Sequence, residues 1–306
     1  MRKQFINTLV ELAEDDARIV LLTADLGFMV LEPFIDRFPD RFFNVGVAEQ
    51  NMIGMATGLA EAGFIPFAYS IATFASLRPY EFIRNGPVLH NLPVRIIGVG
   101  GGFEYGHAGI THHALEDIGV MRTQPGLQVI APADYEQTRA ALLASWDAPG
   151  PIYFRLGKND RDVVPGLAGA FQTGALQHIQ PGSGTLFISM GSIALTVAQA
   201  VAQLAANGIP VGHAILASIN PPPTESLIAL LQNYEKVVTV ESHYIQGGIG
   251  SLVAEVIAEN RLDVQLMRAG VRGAPDGISG GAQSLQARHG LDVDALVGLV
   301  AGEQTL

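Results

Sequence analysis

The sequence predicts two doubly wound α/β domains in series, on three observations. Short apolar runs alternate with amphipathic helical stretches, the pattern of strands and helices laid down in turn. That rhythm breaks between Lys158 and Gly184, where "VPGLAGA" and "QPGSG" carry turn dipeptides, and then restarts. The chain has 306 residues, enough for two ordinary domains. The expected division is a first domain over 1–160, a linker over 161–184 with room for a short hairpin, and a smaller second domain over 185–306.

The elements follow in order. "QFINTLVELAEDD" reads as a helix leading into a strand in "RIVLLTADL", and "RFFNVG" as a second strand. The helix "AEQNMIGMATGLAEAG" comes next and stops at Gly63. "IPFAYS" is strand-like, "FASLRPYEFIRNG" mostly helical, and "VRIIGVG" a strand. "LQVIAP" and "PIYFRL" flank a helix in "DYEQTRAALLASWD". In the second domain, "TLFISMGS", "PVGHAILASI", "KVVTVES" and "VQLMRAG" read as strands. "LTVAQAVAQLAANG", "TESLIALLQNY" and "GSLVAEVIAEN" read as the helices between them.

Composition narrows the function. Hydrophobic residues make up 48% and charged residues 15%, against about 25% charged in an average soluble domain. So little charge implies a large permanent interface with another polypeptide. The net charge of -11 disfavours nucleic acid, where cations must meet phosphates. There are no cysteines, which excludes disulfides, thiolate catalysis and thiolate-held metals. The first segment reaches Glu11, Glu14, Asp15 and Asp16 too soon for a secretory signal, and no apolar run is long enough to span a bilayer. A cytoplasmic location is the expectation.

Three stretches could carry chemistry. In "FFNVGVAEQN", Glu49 stands among apolar residues where an ionised carboxylate is costly unless paired. The bland reading is an acid at the positive end of a helix. Gly54 and Gly58, one turn apart on that helix, suggest that another element approaches and that Glu49 is buried, as a general acid/base can be. The loop "GVGGGFEYGHAGITHHALED" lacks both G-x-G-x-x-G and G-x-x-x-x-G-K-[ST], so neither a nicotinamide nor a P-loop reading holds. Its His107, His112 and His113 lack the helical spacing of a zinc site and fit better as neutral histidines offered to a polar substrate. In "TFASLRPYEFIRN", Phe74 and Tyr80 are read as core aromatics in the first instance.

These segments, in this order, resemble the C-terminal subunit of a split transketolase. The resemblance rests on "FFNVGVAEQNMIGMATGLAEAG", "RPYEFIRN", "THHALEDIGVMR", "VIAPADYEQ", "VESHYIQGGIGS" and "SLQARHGLD", and covers nearly the whole chain. It implies a pyrimidine-binding domain followed by a transketolase C-terminal domain, with thiamine diphosphate and Mg²⁺ as cofactors. It further implies that Glu49 hydrogen-bonds the cofactor's aminopyrimidine and promotes its activation. Phe74 would stack on that ring, and Asp25 would lie near it. His112 would stand beside the reacting sugar hydroxyls, with His107 close by in the substrate site. Arg2 and Lys158 would be substrate-phosphate cations, Lys158 in place of an arginine. The family's G-D-G…N motif for diphosphate and Mg²⁺ is missing from this sequence. The resemblance therefore implies a partner subunit carrying the diphosphate-binding domain, in an α2β2 heterotetramer, with no metal ligands on this chain.

The departures bear on substrate. Relative to ordinary transketolases, Ala108 replaces an acid, Gly100 a channel histidine, and Met29 a phosphate-binding serine. The expected activity is transfer of a two-carbon ketol unit from a ketose or its phosphate to a non-standard acceptor. The alternatives are the beta subunit of a 2-oxo acid dehydrogenase and, in another class, a non-catalytic binding or regulatory subunit. "THH" and "SLQARHGLD" favour the transferase over the first, and the retained Glu49 favours it over the second.

Overall fold

The computed structural model describes residues 1–274 and 276–302. A seven-stranded sheet holds β1 (Ile19–Thr23), β2 (Phe42–Asn44), β3 (Ile65–Ile71), β4 (Arg95–Val99), β5 (Gln128–Ile130) and β6 (Ile152–Leu156). A five-stranded sheet contains β7 (Gln177–Gln180), β8 (Thr185–Ser189) and β9 (Gly212–Ile215). After β9, β10 (Ser218–Asn220) crosses back to the first sheet, while β11 (Lys236–Tyr244) and β12 (Gln265–Val271) complete the second. The first sheet is ordered β10-β5-β6-β4-β3-β1-β2 and is parallel except for β10. The second is ordered β12-β11-β8-β9-β7 and is parallel except for β7.

The central strands β1, β3, β4 and β6 are buried along their whole length. Helices on both faces cover them, which is why their sequences are continuous apolar runs without alternation. The apolar core divides accordingly. Phe5, Leu9, Phe34, Phe67 and Phe154 pack on one face of the first sheet, and Met52, Ile53, Ile96 and Met121 on the other.

Two details depart from the sequence reading. The linker holds a single strand, β7, which pairs antiparallel with β9. And the run "PVGHAILASI" splits at Leu216 and Ala217, so that its end, β10, pairs with β5 of the other sheet. β10 thereby stitches the two halves together. Among the described residues, no helix is long and apolar enough to cross a membrane.

The topology sets the position of the site. From β1 the chain adds β2 on one side, then β3 on the other. Between β1 and β3 the direction of winding reverses, and ligands of open α/β sheets bind beyond the carboxyl ends of strands at such a reversal. Asp25 follows β1, Glu49 follows β2, Phe74 follows β3, His112 follows β4 and Lys158 follows β6. All stand at that one edge.

Candidate active site

Gly46, at φ +73°, turns the chain out of β2 and lets Glu49 open the helix Glu49–Glu61. Asn44 braces this turn. Its Oδ1 accepts the N–H of Gly46 and the N–H of Asp25, both at 3.0 Å, and its Nδ2 donates to Asp25 Oδ1 at 3.1 Å. Asp25 is exposed and holds a left-handed φ of 56°, a strained setting for a non-glycine residue.

Glu49 is only 3% exposed. Nη1 of Arg78 donates to both of its carboxylate oxygens, at 3.1 and 3.0 Å. The Ser70 hydroxyl, near the end of β3, lies 3.5 Å from Oε1. The same guanidinium covers the Phe74 ring, with its carbon 4.1 Å from the centroid. Phe74, on the short helix Ala72–Ser76, meets the His112 ring edge-on, with centroids 5.1 Å apart. His112 Nδ1 and Thr111 Oγ1 share a 3.0 Å hydrogen bond. Glu49, Phe74 and His112, chosen from sequence, are thus one contiguous group, and Arg78 is its fourth member. Tyr80 is not simply core: its hydroxyl bonds Thr123 Oγ1 at 2.9 Å and also receives Gln124 Nε2.

Other residues expected at the site form a second group. The Lys158 ammonium lies 4.1 Å from the centre of the Tyr105 ring and donates to the Glu104 carbonyl at 3.0 Å. Its backbone N–H donates to Glu104 Oε2 at 2.6 Å. Burial, and then Arg2, hold the Lys158 pKa below the usual lysine value, while Glu104 opposes them. Arg2 also lowers the pKa of the Tyr105 hydroxyl, which burial raises on balance. The buried Nε of Arg2 has no hydrogen-bond partner among the described residues. His107 is exposed and faces Gly281 of the second domain. Among the described residues, no hydrogen bond or ring contact joins Arg2, His107 or Lys158 to the Glu49 group.

The substituted positions have structural consequences. Gly100 has φ +77°, and a Cβ there would fall 2.2 Å from the Tyr105 ring. Tyr105 therefore fills the space that a side chain at 100 would take. Met29, at φ 63°, is 89% exposed beside Phe28 at 79%, so the loop after β1 presents an apolar tip. Ala108 is exposed as well. Gly54 and Gly58 differ from expectation: among the described residues, a Cβ at either meets nothing within 4 Å, so no close approach of another element explains these two glycines.

Sequence reasoning passed over Arg78, although "RPYEFIRN" contains it. The available signal was electrostatic, since a buried acid needs a cation.

Residues 1–162 match the transketolase pyrimidine binding domain, and residues 174–296 match the transketolase C-terminal domain. A putative transketolase C-terminal section from Methanocaldococcus jannaschii is 38% identical, over 97% of this chain and 93% of its own length. An apulose-4-phosphate transketolase subunit from Actinobacillus succinogenes is 35% identical, over 88% of this chain and 86% of its own. A solved structure described as a split gene transketolase in an inactive beta4 tetramer superposes with a TM-score of 0.88 at 34% identity. That superposition covers 99% of this chain and 97% of the other.

Proposed function

This chain belongs to the transketolase family, and we propose that it is the pyrimidine-binding subunit of a two-component, thiamine-diphosphate-dependent ketol transferase. The observation that carries this reading is the buried Glu49 carboxylate grouped with Phe74 and His112 at the carboxyl edge of the sheet, where the winding reverses.

The residues present fit the cofactor's pyrimidine end. The pocket already accommodates a flat, nitrogen-rich group, the Arg78 guanidinium, which lies on Phe74 and donates to Glu49. An aminopyrimidine offers the same combination of a π face and nitrogen donors at its edge. When bound, thiamine diphosphate supplies the carbon that adds to the ketose carbonyl and the electron sink for carbon–carbon cleavage. Glu49 holds a proton between its carboxylate and the pyrimidine edge, and the apolar surroundings strengthen that bond. Phe74 orients the ring by stacking. His112, fixed between Phe74 and Thr111, stands ready to exchange a proton with a substrate hydroxyl. Asp25, braced by Asn44, shapes the pyrimidine end of the pocket, and Arg2, Lys158 and His107 serve the substrate side.

The sequence has no G-D-G…N motif, so the diphosphate and Mg²⁺ ligands belong to a partner subunit in an α2β2 assembly. Exposed apolar residues near the site, Phe28, Met29, Val47 and Leu77, and the open Gly54 and Gly58 face supply surface for that partner.

The acceptor is not an ordinary aldose phosphate. Met29, Gly100 and Ala108 offer no hydrogen-bonding side chain, and a site without such groups ceases to reward the matching substrate groups. The apulose-4-phosphate specificity in the name of one relative is a precedent for a non-standard sugar. The test is kcat/KM of the complex reconstituted with its partner, using xylulose 5-phosphate as donor. Aldehydes other than ribose 5-phosphate are expected to react faster than ribose 5-phosphate itself. If ribose 5-phosphate reaches about 10⁴ M⁻¹s⁻¹ or more, within the range of true substrates, and the others lag far behind, this is a conventional split transketolase.

A further inference from the structure

Arg78 makes both contacts that the proposed function asks of the cofactor's pyrimidine. Its planar guanidinium lies on Phe74, and its Nη1 donates to both oxygens of Glu49. A second flat donor cannot take the same ring face and the same carboxylate edge while the guanidinium remains. From this overlap, and resting on the functional reading above, we infer that Arg78 is a resident stand-in for the aminopyrimidine, holding the site closed in the unassembled chain and yielding when the cofactor enters.

The local structure suits such an exchange. Arg78 lies in the turn 77–79 between the short helices Ala72–Ser76 and Tyr80–Ile83, outside regular structure. Its side chain is 46% exposed, whereas that of Glu49 is 2% exposed. A released guanidinium therefore swings directly into water and regains its hydration there. Glu49 has no such escape, because a buried carboxylate without a partner is costly. The clasp gives it a partner before assembly, and the pyrimidine gives it one afterwards. Glu49 is paired in both states, so the swap costs little in either direction. Arg78 is half exposed, and the Coulombic part of the clasp is screened accordingly. The competition is thus modest and set by the two short contacts.

The experiment is calorimetric titration of thiamine diphosphate with Mg²⁺ into the complex of this chain with its diphosphate-binding partner. Wild type, Arg78→Met and Arg78→Lys are compared. Removing the competitor in Arg78→Met is expected to tighten cofactor binding by roughly tenfold, the scale of one partly screened charge-assisted hydrogen bond. Arg78→Lys, a point charge without the plane, is expected to fall between that variant and wild type, and it carries the same test if Arg78→Met fails to assemble. Millimolar guanidinium added to Arg78→Met should weaken cofactor binding toward the wild-type value, while wild type barely responds. Equal or weaker cofactor binding by Arg78→Met, or by Arg78→Lys in its place, overturns the inference and leaves the functional reading standing. A wild-type complex that does not bind the cofactor overturns both.

Discussion

Glu49 is nearly inaccessible while its partner Arg78 is half exposed, and this asymmetry makes the acid usable. The carboxylate is held in place by the two Arg78 contacts, yet its partner can leave. Glu49→Gln preserves the shape but cannot hold the proton in the same way. It should leave the complex assembled and reduce turnover at least 10²–10⁴-fold, the usual worth of one positioned acid–base group. Hydrogen–deuterium exchange at the reactive carbon of the bound cofactor is the direct readout, and exchange at the wild-type rate would remove Glu49 from its assigned role. Glu49 was legible in the sequence because an acid stood among phenylalanines and valines. Arg78 was not, because it lies 29 residues away and only the tertiary fold brings the two together.

Between residues 72 and 88, the expected helix is in fact three short pieces, Ala72–Ser76, Tyr80–Ile83 and Arg84–Val88, the last with π geometry and Pro87 inside it. The helical periodicity was genuine, but Pro79 and Pro87 each remove a backbone donor and break the ladder. Arg78 stands four residues after Phe74, the spacing at which side chains of a helical turn meet, and its guanidinium covers that ring. The "PVGHAILASI" run was equally ambiguous, since an unbroken apolar run does not reveal which sheet its ends join.

An element-level feature outside the site concerns Glu241 on β11. Its carboxylate oxygens accept the N–H groups of Ile249 and Gly250, at 2.8 and 2.9 Å, in the first turn of the helix Ile249–Asn260. Burial outweighs those two donors and pushes its pKa up to about 7. Arg155 and Arg268 act against that rise. The neighbouring His243 ring is neutral: Nδ1 donates to Tyr244 O at 2.6 Å and Nε2 accepts the N–H of Gly119 at 3.2 Å. The folded-state value lies above that of an unfolded glutamate, about 4.3. The folded state therefore binds the proton more tightly, and this group's stabilisation is complete below about pH 4.3 and fades as pH rises through 7. Relative to Glu241→Gln, the wild-type melting temperature should decline between pH 5 and 8. Parallel curves for the two proteins would show that Glu241 does not titrate in this way.

In the whole molecule, the two sheets are joined by buried polar groups as well as by β10. Arg155 on β6 donates through Nε to Asp117 at 2.9 Å, and through Nη2 to the carbonyls of Ala114 and Ser242, both also at 2.9 Å. Tyr153 adds a 2.8 Å bond to the same Asp117 oxygen. Breaking a buried pair from one side strands a charge, at a cost of about 3–5 kcal/mol. Arg155→Met should therefore lower stability by that order, and Asp117→Asn combined with it should recover part of the loss. A double variant less stable than the single one would show that the stranded charge is not the cause. The α/β class was legible because strand and helix periods are local. The interdomain lock was not, since Ser242 meets Arg155 only when the two sheets pack.

The central claim is that this chain holds half of a cofactor site: the pyrimidine end here, the diphosphate and Mg²⁺ end on a partner. Calorimetry with thiamine diphosphate and Mg²⁺, on the chain alone and on the chain with its partner subunit, tests it directly. The expected result is no tight binding to the chain alone and tight, Mg²⁺-dependent binding to the complex. Tight Mg²⁺-dependent binding to the isolated chain would contradict it.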